Sequence, residues 1–106
     1  MNVDGKFAKA LASGTFIVTA EYRPKAVSDG RAVEDAVKGL GKGLTAVNVS
    51  DNSHAVGLSS IAASVAVLKS GAEPVCHMVT RDRNRIAIQS DLLGAASLGI
   101  KNLLCL

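Results

Sequence analysis

Three short stretches of this sequence set reactive side chains directly behind apolar runs: Thr19-Ala20-Glu21-Tyr22-Arg23-Pro24, Asn48-Val49-Ser50-Asp51-Asn52 and His77-Met78-Val79-Thr80-Arg81-Asp82. Glu21 follows six mostly apolar residues. Desolvation at such a position raises a carboxyl's pKa and makes it an acid usable near neutral pH. The other reading is a strand-end carboxylate paired with Arg23, and the residues leave both open. His77 reads as a base, a ligand contact or a hydrogen-bonded core histidine. Ser50, Asp51 and Asn52 suit ligand binding, but also capping and turns. His54 reads as a loop residue and Met1 as the start residue. Arg83 and Arg85 read as a solvated helix start, while Arg81 is open between that role and a phosphate contact.

The elements that must position these side chains follow from a repeat. Glycines 14, 43, 71 and 99 are 29, 28 and 28 residues apart, and each opens an apolar run: Gly-Thr-Phe-Ile-Val-Thr-Ala, Gly-Leu-Thr-Ala-Val-Asn-Val, Gly-Ala-Glu-Pro-Val-Cys-His and Gly-Ile-Lys-Asn-Leu-Leu-Cys. Such runs predict strands buried on both faces, with Pro74 tolerated at a strand's first residue. Between them lie helical patterns: Val33, Val37 and Leu40, then Leu58, Ile61, Ala62, Val65 and Leu68, then Ile86, Leu93 and Ala96. Ser28 and Asp82 are the expected caps of the first and third helices. Gly43, Gly71 and Gly99 stand where a helix ends in a left-handed residue.

Strand–helix alternation implies parallel strands with right-handed crossovers, either in an open doubly wound sheet or in a slice of an eightfold barrel. Eight units of ~29 residues approach the ~250 of a (β/α)8 barrel. The chain holds three units and a fourth strand, so the expected fold is α/β, a partial TIM-type barrel in one domain over residues 1–106. The Gly-x-Gly at 41–43 precedes a strand, so it is no dinucleotide fingerprint. Functional residues belong at the carboxyl ends of such strands, where all three polar stretches fall.

Composition excludes several classes. Phe7, Phe16 and Tyr22 are the only aromatic residues, which argues against single-stranded nucleic-acid binding. The net charge of +3 is well interspersed, and the one basic cluster, Arg81 to Arg85, is interrupted by Asp82. No apolar stretch reaches the ~18 residues of a membrane span, and no export signal is visible. Cys76 and Cys105 lie in apolar runs and read as buried thiols of a cytoplasmic protein, with no metal site expected.

At this point the sequence resembles the methylenetetrahydrofolate reductases. The stretch from Thr19 to Lys25 resembles the family's first-strand motif, an acid followed closely by proline, and Ala46-Val47-Asn48-Val49-Ser50-Asp51-Asn52 resembles the second. The third strand and helix of one branch resemble His77-Met78-Val79-Thr80-Arg81-Asp82-Arg83-Asn84-Arg85-Ile86-Ala87-Ile88-Gln89-Ser90-Asp91-Leu92-Leu93-Gly94-Ala95. The approach to strand four resembles Gly99-Ile100-Lys101-Asn102-Leu103-Leu104-Cys105-Leu106. The resemblance covers residues 16–106. It implies a βα barrel that uses FAD to reduce 5,10-methylenetetrahydrofolate to 5-methyltetrahydrofolate, with NADH, NADPH or another reductant as electron donor. It also implies that Glu21 is the general acid and contacts folate, that Ser50 lies near flavin and folate, and that His77 contacts the flavin.

Two departures follow. The family continues after strand four with a Gly-Asp motif, and this chain stops at Leu106, before it. Glu21 and Ser50 lie seven residues after their glycines but His77 only six, so His77 shares their face only if its strand entry is one residue shorter. If the three point inward, alternation also turns Ile17, Val75 and Val79 inward, and the fourth strand adds Leu103. Four such side chains represent roughly 6–12 kcal/mol of burial, comparable with the stability of a whole domain. The expectation is therefore a truncated chain, inactive, and unstable, aggregated or oligomeric by itself, or a subunit of a larger complex. The alternatives are a pterin-binding methyltransferase barrel and a non-catalytic half-barrel interaction module.

Overall fold

The computed structural model describes residues 4–106; Met1 lies outside them. The elements run α1 (Lys6–Ser13), β1 (Thr19–Tyr22), α2 (Gly30–Lys38), β2 (Ala46–Val49), α3 (Ser60–Lys69), β3 (Pro74–Met78), a 3₁₀ turn (Thr80–Asp82), α4 (Arg85–Ser97) and β4 (Asn102–Cys105). The strands form one parallel sheet in sequential order, β1-β2-β3-β4. Three βα units and a fourth strand are thus present, an arc of a TIM-type barrel.

Each crossover helix starts at a side-chain cap. Asp29, Ser59 and Asn84 accept hydrogen bonds from the backbone N–H groups of Ala32, Ala62 and Ala87. The expected caps Ser28 and Asp82 are displaced: Asp29 takes the first role, and Asp82 belongs to the 3₁₀ turn that precedes Asn84. Gly71 and Gly99 are left-handed as expected, with φ of 90° and 86°. In the second unit it is Gly41, at φ 97°, and not Gly43, that turns left-handed.

The pairing offset is constant at 27 residues: Thr19 pairs with Ala46, Val47 with Pro74 and Val75 with Asn102. Side-chain alternation then sorts the sheet into two faces. Val47 and Val49 pack with Val33, Val37, Ala63, Ala66 and Val67 in the main core, and Tyr22 joins them. Cys76, Ala95 and Ile100 form a second core with Ile61, Val65 and Leu68. These residues define the helix-covered face. Helix α3 serves both cores, so its buried surface is wider than the stripe expected from sequence, and Ala62 is exposed.

The opposite, inner face carries Glu21, Asn48, Ser50, Val75, His77, Asn102 and Leu104. Leu103 pairs with Cys76 and therefore lies on the helix side, against the expectation that it points inward; Leu104, paired with His77, takes the inner position. Cys76 is buried but Cys105 is exposed, so only one of the two thiols is a core thiol. In α4 the expected inward face of Ile86, Leu93 and Ala96 is solvent-facing, and Ala95 is the residue that enters the core. Leu40 is likewise exposed, beyond the last turn of α2.

Helix α1 has no signal in the strand–helix repeat. Its amino end is held from a distance: the Glu73 carboxylate accepts from the backbone N–H of Lys6 at 2.6 Å and of Phe7 at 3.2 Å. A carboxylate there satisfies free N–H groups and opposes the positive end of the helix dipole. Among the described residues no helix is long and apolar enough to cross a membrane.

Candidate functional site

The three sequence-predicted residues come together on the inner face, at the carboxyl ends of β1, β2 and β3. Glu21 stands opposite Asn48, and the next position up that face brings Ser50 beside His77. His77 shares the face because its strand entry is shorter: Ala46, three residues after Gly43, is level with Glu73, two residues after Gly71. The first entry is longer, with β1 beginning five residues after Gly14. That two-residue difference preserves the side-chain face.

His77 is the best-fixed of the three. Its Nε2 lies 3.1 Å from Asn48 Oδ1, and the Asn48 Nδ2 donates to Thr19 Oγ1 at 3.2 Å. With the Asn48 oxygen turned toward the ring, Nε2 carries the proton and Nδ1 keeps its lone pair. The carbonyl of His77 accepts from Ser60 Oγ at 2.7 Å. Burial pushes the imidazole pKa below its ordinary value, with the negative fields of Glu21 and Asp51 in partial opposition. The ring is neutral at neutral pH. Asn48 was missed as a site residue, although an amide inside Ala46-Val47-Asn48-Val49, two residues before Ser50, is a visible signal.

Ser50 is buried, with its N–H donating to the Tyr22 carbonyl at 3.1 Å. It lines a cavity of about 320 Å³ together with Arg23, Lys25, Asn52 and His54. Glu21 is not desolvated. Its side chain is 44% exposed and paired with Arg23 at 3.2 Å, so the ion-pair reading fits its surroundings. Arg23 also donates from NH1 to His54 Nε2 at 3.2 Å, which gives His54 a partner. Asn52 is left-handed at φ 48° and accepts from the Gly57 N–H, a turn role.

The loops around this cavity are closely joined. Leu58 N–H donates to the Lys25 carbonyl, and a Cβ on Gly57 would collide with the Pro24 carbonyl oxygen. A larger cavity, about 640 Å³, opens at the amino ends of the strands beside Leu44, Gly71 and Glu73. None of Glu21, Ser50 and His77 lines it, and its size alone carries no chemistry.

Behind the site lies an ion network that sequence reasoning missed. Arg83, expected to be solvated, is 16% exposed and contacts Asp51, itself 1% exposed, at 2.6 Å and Asp91 at 3.0 Å. The hydrogen bond and charge of Asp51, with lesser help from Asp91, hold the guanidinium pKa above its ordinary value. Asp51 and Arg83 are 32 residues apart, and no local pattern signals such a pair. Arg81 is exposed and paired with Asp82.

The arrangement is a row of hydrogen-bonding groups at one rim of a parallel sheet, open toward the barrel axis. The sequence matches the family model for methylenetetrahydrofolate reductase over residues 6–106. No curated protein matches it. The family match takes in all four strands and every residue of the inner-face row, and it agrees with the barrel arc seen in the sheet. On both grounds, the chain belongs to the methylenetetrahydrofolate reductase family.

Proposed function

We propose that this chain supplies part of the active site of a flavin-dependent oxidoreductase that reduces 5,10-methylenetetrahydrofolate to 5-methyltetrahydrofolate, in the cytoplasm. The observation that carries the reading is the placement of Glu21, Ser50 and His77 on one face at the carboxyl ends of three adjacent parallel strands.

The donor set suits a flat heterocycle whose rim alternates hydrogen-bond donors and acceptors. His77 offers a neutral imidazole held by Asn48, and Ser50 offers a hydroxyl at the cavity wall. Both fit the edge of an FAD ring. A bound FAD, reduced by NADH, NADPH or another donor, would supply the hydride. Glu21 is the proposed general acid: it would protonate the folate amine so that the bridging ring opens to an electrophilic iminium. For that task it must leave Arg23, which occupies its Oε1 at 3.2 Å. Ser50 and Glu21 would both contact the folate.

The test is the visible absorption spectrum of the purified chain after incubation with FAD and desalting. A retained flavin band that His77→Ala abolishes is the expected result. Folded protein without a flavin band would sink the proposal for this chain. A stable flavin-free dimer would favour an interaction module instead, a reading supported by the exposed Leu103, Leu104 and Leu106 at the sheet edge.

A further inference from the structure

The β2–β3 backbone ladder ends at the pairing of Val49 with Cys76. Beyond it, the hydrogen bonds of the strand ends pass to side chains. Asp51 Oδ2 accepts from the Val79 N–H at 2.8 Å, and Arg83 NH1 donates to the Val79 carbonyl at 2.9 Å. The same Arg83 NH1 contacts Asp51 Oδ2, and its Nε contacts Asp91 on α4. Both polar groups of the Val79 backbone are thereby held by one largely buried ion pair, and the carbonyl also accepts a longer bond from the Asp82 N–H at 3.4 Å. Asp51 adjoins Ser50 in sequence, and Val79 follows His77 by two residues.

We infer that Asp51 and Arg83 form a side-chain rung that continues the sheet past its last backbone pair and fixes Ser50 and His77 beside each other. They are positioning residues, and the inference rests on the site proposed above. Stability alone is a poor account of the pair. Dehydrating two charges offsets most of their attraction, and an apolar pair of similar volume is often as stable. What an apolar pair does not provide is an acceptor for the Val79 N–H and the shorter of the two bonds to its carbonyl. Charge-assisted hydrogen bonds with a planar guanidinium supply both and fix direction as well as distance.

The histidine ring nitrogens report on this rung without flavin or folate, so the result stands apart from the functional proposal. The chain has two histidines, and the exposed His54 serves as an internal control. In ¹⁵N spectra of the chain, His77 is expected in a single tautomer protonated on Nε2. Arg83→Met should convert that signal to the averaged pattern of a free imidazole, with His54 and the far-ultraviolet circular dichroism unchanged, and Arg83→Lys, which keeps the charge but not the planar fork, should restore it only in part. A folded Arg83→Met variant with an unaltered His77 signal overturns the inference. If Arg83→Met does not fold, the paired variant Asp51→Asn/Arg83→Met removes the stranded charge along with its partner. Loss of the His77 tautomer in that variant supports the rung, and retention overturns it. Unfolding of all three variants also overturns it, because the pair would then hold the whole fold rather than the site.

Discussion

At the residue scale, the most informative group is the His77 imidazole. Burial lowers its pKa in the folded chain, with Glu21 and Asp51 in partial opposition. The sign of the effect on stability follows by linkage. Below an unfolded-state pKa of about 6.5, the unfolded chain takes up a proton that the folded chain refuses, so stability declines as pH falls through that range, until the folded ring is protonated as well. His77→Asn should remove this component, seen as a flatter dependence of the urea midpoint on pH between 7 and the acid limit of folding. A steeper or identical dependence would contradict the burial argument. Arg83 gives the second prediction at this scale. Arg83→Met strands the Asp51 charge away from water and should cost about 3–5 kcal/mol in chemical denaturation. A loss under 1 kcal/mol would mean that water reaches Asp51 once Arg83 is gone. The inner-face placement of Glu21, Ser50 and His77 was legible in the sequence, because strand alternation and the ends of apolar runs are local properties. The environment of Glu21 was not: its exposure depends on what lies across the inner face, which no local pattern encodes. Nor was the Arg83 network, whose partners are distant in sequence.

At the element scale, the strand–helix order was legible from the glycine spacing, and the crossover helices start where short polar side chains can cap them. The displaced caps differ from expectation by one or two residues, because Ser28 and Asp29, or Asp82 and Asn84, have equal chemical claims, and only the path of the preceding turn selects one. Helix α4 was misread for a different reason. Its apolar residues lie on more than one side, so periodicity alone chose the wrong face, and Ile86 and Leu93 are about three-quarters exposed. Helix α1 was not legible at all, since its anchor is a carboxylate 67 residues away. Replacing that anchor, Glu73→Ala, should weaken the first turn of α1 by about 1 kcal/mol. Amide exchange of residues 6–10 should then quicken while that of β2 stays slow. Gly57→Ala tests the joint between the loops after β1 and β2. The added methyl collides with the Pro24 carbonyl, and overpacking of this kind costs about 1–3 kcal/mol. A neutral substitution would show that the two loops separate freely.

At the scale of the whole molecule, the sheet has one covered face and one open face. The covered face is an ordinary aliphatic core, with Val33, Val49 and Val67 fully enclosed. On the open side and along β4, Leu104 and Leu106 are exposed, and among the described residues no strand pairs with its outer edge. An exposed apolar edge strand is a template for pairing with another chain. Sedimentation velocity should therefore show concentration-dependent self-association, and Leu104→Lys should reduce it. A monomer at all concentrations would show that this edge is protected. The sequence predicted the same tendency for self-association, but counted Leu103 instead of Leu104 among the inward residues. The error came from extending alternation across a connection whose length differs from unit to unit.

The constant 27-residue offset turns the inner face into a ruler. Neighbouring strands lie about 4.8 Å apart and two residues span about 6.7 Å, so the Cα atoms of Glu21 and His77, two strands and one level apart, are separated by about 12 Å along the sheet. The two side chains reach toward each other over that distance, and the negative field of Glu21 is felt at the His77 ring. The line between them crosses β2, with Asn48 level with Glu21 and Ser50 level with His77, so a molecule that touches both lies diagonally across the middle strand and is read by its orientation as well as by its hydrogen bonds.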